Sequence, residues 1–341
     1  MHATPRVSVL IPVHNCRAWV ARAVESALDQ TYPATEVIVL DDGSTDGSGD
    51  ILARYRPHIR LESCPQVGQN RARNRLTSWS SGEWLIYLDA DDELSREAIE
   101  TRLDFCFDAD AIYGTMESAI FDGVTKVSSR IRVARDFPDP VVAAFEWRFP
   151  NPSAFMFRRA ALIHAGWWNE TAHVCTDYDL YFRLILTGAR LKAAPHAMSL
   201  YRHWSASQAA HVNPLARVST RLQLLNRTAK TLASSNRLTV PRRQAFEQSA
   251  LKCIRALYAF DRDQARHELD KLKARNVEAT PSPAEFARLY VLAFRFGGLD
   301  LAEAVAAWGR RLRRMTTAEP PSLPDFDAHY SSRRYRSSRW T

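Results

Sequence analysis

Five aspartates stand at the ends of two apolar runs, where carboxylates can hold a hard cation or a nucleoside. Val37-Ile38-Val39-Leu40 runs into Asp41, Asp42, Gly43 and Ser44, and Trp84-Leu85-Ile86-Tyr87-Leu88 runs into Asp89, Ala90, Asp91 and Asp92. Such runs read as strands buried on both faces of a parallel sheet. Open α/β sheets bind ligands just beyond the carboxyl ends of those strands. Two acidic clusters there repel each other and any phosphate, and a divalent cation, Mn2+ or Mg2+, removes both problems. The expected chemistry is the handling of a nucleoside diphosphate through a hard metal ion. In the Asp89/Asp91 pair one carboxylate reaches the metal while the other orients a ribose or a metal-bound water. The ion neutralises a departing diphosphate as a Lewis acid. The competing readings are a plain Asp-Gly-Ser turn and capping of the next helix by Asp91 or Asp92.

The elements needed to position these residues follow a β-α-β-α rhythm. Strands are expected at Val7–Val13, Glu36–Leu40, near Ile59–Leu61, at Trp84–Leu88 and at Ala111–Tyr113. Helices are expected over Ala18–Leu28, from Asp46, over Asn70–Trp79 and over Ser95–Phe107. This predicts an α/β fold with a doubly wound, mainly parallel sheet of Rossmann-like type. From Gly114 to Pro152 the pattern breaks, and a connecting loop over the site is expected there. A strand at Ala154–Phe157, helices at Arg158–Ala165 and Asp177–Leu186, and a strand at Ala197–Tyr201 complete the domain. Beyond Pro214 the period is helical throughout. Phe246, Ala250, Ile254, Leu257 and Tyr258 share one helix face; Leu289, Leu292, Ala293 and Phe296 share another, as do Leu301, Val305, Trp308 and Leu312. The expected division is a catalytic domain over 1–213 (nucleotide half 1–113, acceptor half 114–213), a smaller all-helical domain over 214–316 and a disordered basic tail over 317–341.

The chain has 341 residues, ordinary hydrophobic and charged fractions of 46% and 25%, and a formal net charge of +8. That balance favours anionic partners without choosing among them. Its five cysteines are widely spaced and form no C-x-x-C pair, which argues against structural zinc and a disulfide framework and for a reducing cytoplasm. No apolar run reaches the ~18 residues that span a bilayer. Arg310, Arg311, Arg313, Arg314, Arg333, Arg334, Arg336 and Arg339 lie among aromatic and apolar residues. They suit peripheral contact with the anionic inner face of a membrane, or else form a solvated helix face and tail. No nucleic-acid module is visible, so no specific nucleic-acid binding is expected.

These pieces, in this order, resemble the inverting family 2 glycosyltransferases of GT-A fold. The matching segments are Val7–Asn15, Leu40–Asp46, Ala72-Arg73-Asn74, Gly82-Glu83-Trp84, Leu88–Asp92, Gly166–Glu170 and Asp177–Leu184, which together cover roughly the first 200 residues. The resemblance implies a nucleotide-sugar donor, a UDP-sugar above all, and a carbohydrate or glycolipid acceptor. It implies that Pro12, His14, Asn15 and Ser44 border the nucleoside, that Asp41 and Asp42 contact it without settling which takes the base, and that Arg73 lies near the nucleotide. Asp89 and Ala90 would border the donor, and Asp91 with Asp89 would hold the metal. Asp177 is the candidate general base that removes the acceptor hydroxyl proton. At a helix start, its alternative role is capping.

Two departures from the family pattern stand out. Thr176 occupies the position usually taken by Glu before the base. The closing Tyr201-Arg202 segment is followed by His203 and then by Trp204, where a His is common. His203 is carried as a weak metal ligand. Trp147, Trp167 and Trp168 are candidates for an acceptor platform or for core packing, and Cys175 reads as a packing residue. The competing functions are a nucleotidyltransferase, disfavoured by the lack of a Gly-rich triphosphate loop, and a non-catalytic sugar- or nucleotide-binding module on the same fold. A role in cell-surface polysaccharide or glycolipid synthesis is an expectation from the family alone.

Overall fold

The computed structural model describes residues 4–204, 213–274, 281–282 and 287–316, and the chain divides into two compact units, Met1–Ala279 and Thr280–Thr341. The expected tail over 317–341 lies outside the described residues.

The first unit opens with β1 (Val7–Val13), α1 (Val20–Leu28), β2 (Thr35–Asp42), α2 (Ser48–Ala53), β3 (Arg60–Cys64), α3 (Gln69–Trp79) and β4 (Trp84–Tyr87). β1 pairs in parallel with β2 on one side and with β4 on the other, and β2 pairs in parallel with β3. The apolar side chains of β1, β2 and β4 are buried almost without exception, because helices cover both faces of this half of the sheet. Val13 lies opposite Asp41, and the amide of Leu88 donates to the Leu10 carbonyl at 3.0 Å. Both aspartate-rich turns therefore leave the sheet at the same edge, side by side.

The remaining strands are β5 (Glu93–Leu94), β6 (Ala111–Asp122), β7 (Thr125–Arg132), β8 (Phe155–Arg158) and β9 (Leu191–His203), and the sheet order is β3-β2-β1-β4-β8-β6-β9-β5, with β7 added to β6. Here the sheet is mixed. β8 runs antiparallel to both β4 and β6, while β6 and β9 run parallel. Helices α4 (Ala98–Leu103), α5 (Pro140–Phe145), α6 (Arg159–His164) and α7 (Thr176–Leu186) fill the connections. Where a loop from Gly114 was expected, β6 continues to Asp122 and turns at Gly123 (φ 57°) into the exposed edge strand β7. β9 is likewise longer than the expected Ala197–Tyr201. A register shift between Gly114 and Thr115 accompanies its bend, and this irregularity hides its period from the sequence.

After Pro214 come α8 (Pro214–Ser234), α9 (Val240–Tyr258) and α10 (Arg262–Lys273) in the first unit, and α11 (Arg288–Thr316) in the second. The predicted α9 face is buried at Phe246, Ala250, Ile254 and Leu257, and the Phe246 ring meets Phe145 of α5 at 5.9 Å. Asp179 of α7, 3% exposed, is gripped by Arg183 one turn on and by Arg227 of α8 at 2.6 Å. Within the first unit, α8 is thus tied to α7 and α9 to α5.

Candidate active site

The loops after β1 and β2 brace each other. The Asn15 amide donates to the Ser44 hydroxyl at 3.0 Å, Thr45 N–H donates to Asn15 Oδ1 at 2.8 Å, and Ser44 N–H donates to Asp41 Oδ1 at 3.0 Å. Because Asn15 Oδ1 accepts from Thr45, its amide nitrogen faces His14 Nε2 at 3.2 Å. His14 Nε2 is then an acceptor, and its Nδ1–H donates to the Asp42 carbonyl at 2.8 Å. His14 and Asn15 remain exposed and Pro12 half-exposed, so this corner presents a polar surface of fixed geometry. Gly43 makes the turn possible. Its φ is +73°, and a Cβ there would stand 2.8 Å from the Gln66 amide nitrogen.

Asp41 and Asp42 are both nearly buried, at 8% and 3% exposure, and alternate across β2. Asp42 accepts the amides of Val67 at 2.6 Å and Gly68 at 2.9 Å, at the N-terminus of α3. That helix end favours a carboxylate. A carboxylate has about four acceptor positions, so these two bonds orient Asp42 without exhausting it.

The second acidic turn is built on residues that sequence reasoning did not single out. The Asp89 amide donates to the Ser153 hydroxyl at 3.1 Å, and Ser153 in turn donates to Asp92 Oδ2 at 2.7 Å. Asn151 also donates to Asp92, at 2.7 Å. Asp92 is fully buried, and desolvation followed by the charges of Asp91 and Asp89 pushes its carboxyl well above the usual range. Arg202, fully buried, donates to the Asp91 carbonyl at 2.7 Å, pairs with Glu93 and lies 4.5 Å from the Trp19 ring. Trp204 Nε1–H donates to Asp91 Oδ2 at 2.9 Å. The position where a His is common in the family thus carries an indole donor. His203 Nε2 lies 2.8 Å from the Ser118 hydroxyl.

Arg73 links the two halves of the site. It is 2% exposed, donates to Asp89 Oδ1 at 2.7 Å and stacks its guanidinium 4.2 Å from the Trp168 ring centroid. Trp168 is therefore a buried packing partner of Arg73. Trp147 packs against Tyr178, 4.4 Å between centroids, and under Arg221. Asp177 lies in the first turn of α7, whose N-cap residue is Cys175 (φ 51°). Burial raises the Asp177 carboxyl, opposed by the Tyr178 amide and by the charges of Arg73 and Arg221. Burial also pushes the Cys175 thiol up to about 11, so it is protonated and unreactive at neutral pH. The Tyr201 phenol is raised first by burial and then by the fields of Asp92, Asp91, Asp89 and Asp177.

Among the described residues, no three of His, Cys, Asp and Glu stand close enough to hold a metal alone. Asp89 and Asp91 carry hard oxygen atoms that would fill only part of a coordination sphere. This suits an ion that takes one or two carboxylates and completes its shell with substrate phosphates and water.

The family model described as "Glycosyl transferase family 2" matches residues 8–166, which span both acidic turns and Arg73. That segment is a family 2 glycosyltransferase domain. The chain is 30% identical over 196 residues to a chondroitin synthase of Pasteurella multocida, covering 55% of this chain but 20% of that protein. It is 38% identical over 107 residues to the putative teichuronic acid biosynthesis glycosyltransferase TuaG of Bacillus subtilis, covering 30% of this chain and 42% of that one. The chain thus spans less than half the length of either relative. A crystal structure of S. aureus TarS 1–349 in complex with UDP-GlcNAc superposes with a TM-score of 0.61 over 90% of this chain and 92% of that one, at 17% identity. At that identity the likeness is one of fold, and it places the mixed sheet of the glycosyltransferase domain in the GT-A class.

The structure brings Asp89, Asp91, Arg73 and Asp177 to one edge of the sheet. It sets Pro12, His14, Asn15, Asp41, Asp42 and Ser44 in a neighbouring corner. Asn151 and Ser153 went unnoticed because an isolated Asn-Pro-Ser reads only as a turn. Their role appears when β8 is laid antiparallel beside β4.

Proposed function

We propose that the chain is a metal-dependent, inverting glycosyltransferase that moves a sugar from a UDP-sugar to an acceptor hydroxyl during the synthesis of a cell-surface polysaccharide or glycolipid. The observation that carries this reading is the acidic turn Asp89–Asp92 at the carboxyl edge of the sheet, where Arg73 donates to Asp89 at 2.7 Å and Asn151 and Ser153 each donate to Asp92 at 2.7 Å. The chondroitin synthase and TuaG relatives support the polysaccharide class, and the TarS complex supports the donor class.

The donor's nucleoside would rest in the Pro12, His14, Asn15 and Ser44 corner, with Asp41 or Asp42 accepting from the base or ribose. Asp91, with Asp89, would hold a Mn2+ or Mg2+ ion, which supplies Lewis-acid stabilisation of diphosphate charge. Arg73 keeps the Asp89 carboxylate in one orientation and places positive charge beside Asp177. Asp177 accepts the acceptor hydroxyl proton as its oxygen attacks the anomeric carbon. The bond to the diphosphate breaks from the opposite side, so the configuration inverts. Ionised Asp177 is a stronger base than a solvated carboxylate because burial raises its proton affinity.

The hydrogen bond from Trp204 to Asp91 favours a second reading, a binding module without turnover. Incubation with a panel of UDP-sugars and polysaccharide acceptors, followed by detection of released UDP and of the product's anomeric configuration by NMR, separates the two. UDP release with inversion supports the enzyme. Release of pyrophosphate in a parallel incubation with nucleoside triphosphates and sugar 1-phosphates would mark a nucleotidyltransferase, and nucleotide binding with no release in either mixture would mark the module.

A further inference from the structure

The second unit carries apolar side chains on the side of α11 that solvent reaches. The helix breaks at Gly297 and Gly298 (φ 66°), and Tyr290 of the first half donates to buried Glu303 of the second at 2.7 Å. The buried apolar residues are Tyr290, Val291, Ala293, Phe294, Leu299 and Ala302. On the first half, Leu289, Leu292 and Phe296 follow i, i+3, i+7 spacing on a different face, at 68%, 48% and 85% exposure. On the second half, Leu301 and Trp308 are 43% and 64% exposed. Ala293 of the first stripe is buried and Val305 of the second is half-buried, while Leu289, Leu292, Phe296, Leu301 and Trp308 stay exposed. Large apolar side chains gathered on an exposed face are normally covered by a partner or a membrane.

What surrounds these stripes identifies the cover. Arg288, Arg295, Arg310 and Arg311 are exposed, whereas the acids within 288–311 are Asp300 and Glu303, and Glu303 is buried with Tyr290 and faces Arg310 at 3.9 Å. Exposed Phe, Trp and Leu flanked by arginines suit the boundary between headgroups and acyl chains of an anionic leaflet. No helix among the described residues is long and apolar enough to cross a bilayer, so this element would lie on the membrane.

We propose that α11 docks the chain on an anionic lipid surface, with Leu289, Leu292, Phe296, Leu301 and Trp308 inserted at the interface and the flanking arginines on the headgroups. This goes beyond the transfer reaction and does not depend on it.

The test is co-sedimentation of the full chain with vesicles of phosphatidylcholine, with and without phosphatidylglycerol. The expected result is binding to the anionic vesicles alone, weakened by salt, and weakened about tenfold or more when Phe296→Ser and Trp308→Ser are combined. Brominated lipid should quench tryptophan fluorescence of the wild type. Trp308→Phe should keep binding and lose that quench, which reads insertion in a chain with minimal change of shape. No vesicle binding by the wild type would overturn the proposal. So would unchanged binding of the double variant, or a double variant that binds vesicles normally but loses self-association by light scattering, which would make a second copy the cover. UDP binding by the same variants should be unchanged, so failure here is distinguishable from failure of the donor site.

Discussion

Asp177→Asn separates catalysis from helix stability most sharply. Asp177 is inside the first turn of α7, the cap position being Cys175, and its carboxyl is bonded by the Tyr178 amide, a bond that an Asn oxygen can also accept. Replacing its charge removes a favourable interaction with the helix dipole worth about 0.3–1 kcal/mol. It also removes a carboxylate whose ionisation burial opposes. The sign of that second effect follows from linkage. A carboxyl whose folded pKa lies above its unfolded value favours the fold at low pH, and that contribution is lost as pH rises through the folded pKa. At neutral pH the two effects oppose each other, so the melting temperature should move little. Loss of a positioned general base costs about 10²–10⁴-fold in rate, or about 3–5 kcal/mol at the transition state. Activity should therefore fall far more than stability. Measured kcat should drop by at least two orders of magnitude (~10²), with the UDP dissociation constant unchanged. The acid limb of the wild-type pH–rate profile should lie above the ordinary carboxylate range and disappear in the variant. Full activity would place the base elsewhere, and lost UDP binding with lost activity would make Asp177 a structural residue.

Three other variants follow from the geometry. Arg73→Met leaves Asp89 without its partner and Trp168 without its stacked cation, so denaturant unfolding should show a loss of about 3 kcal/mol together with weakened nucleotide binding. Trp204→Phe keeps a ring against Trp19 but removes the N–H bonded to Asp91; it should alter the Mn2+ concentration needed for half-maximal activity while shifting the melting temperature little. Gly43→Ala meets a left-handed φ and the Gln66 backbone together, so calorimetric unfolding should show a loss of about 1–3 kcal/mol.

The parallel half of the fold was readable because β1, β2 and β4 are built on short, mainly apolar runs ending in polar turns, and that pattern places Asp41, Asp42, Asp89 and Asp91 on one edge. The long β6–β7 hairpin and the bent β9 were not, since their pairing depends on partners far along the chain and β7 is exposed along its length. The same limit applies within the site. Arg73 was legible as a residue of helix α3, but its bond to Asp89 and its stacking on Trp168 come from packing α3 beneath the loop after α6. The helical period alone does not tell a buried face from a bare one: Phe246 of α9 is 4% exposed and Phe296 of α11 is 85%.

The most direct test of the donor site is calorimetric titration of the full chain with UDP, with and without Mn2+, in wild type and in Asp91→Asn. The account predicts binding in the presence of Mn2+ that is lost without the ion and lost again in the variant. Equal binding with and without the ion, or undiminished binding by Asp91→Asn, would contradict it.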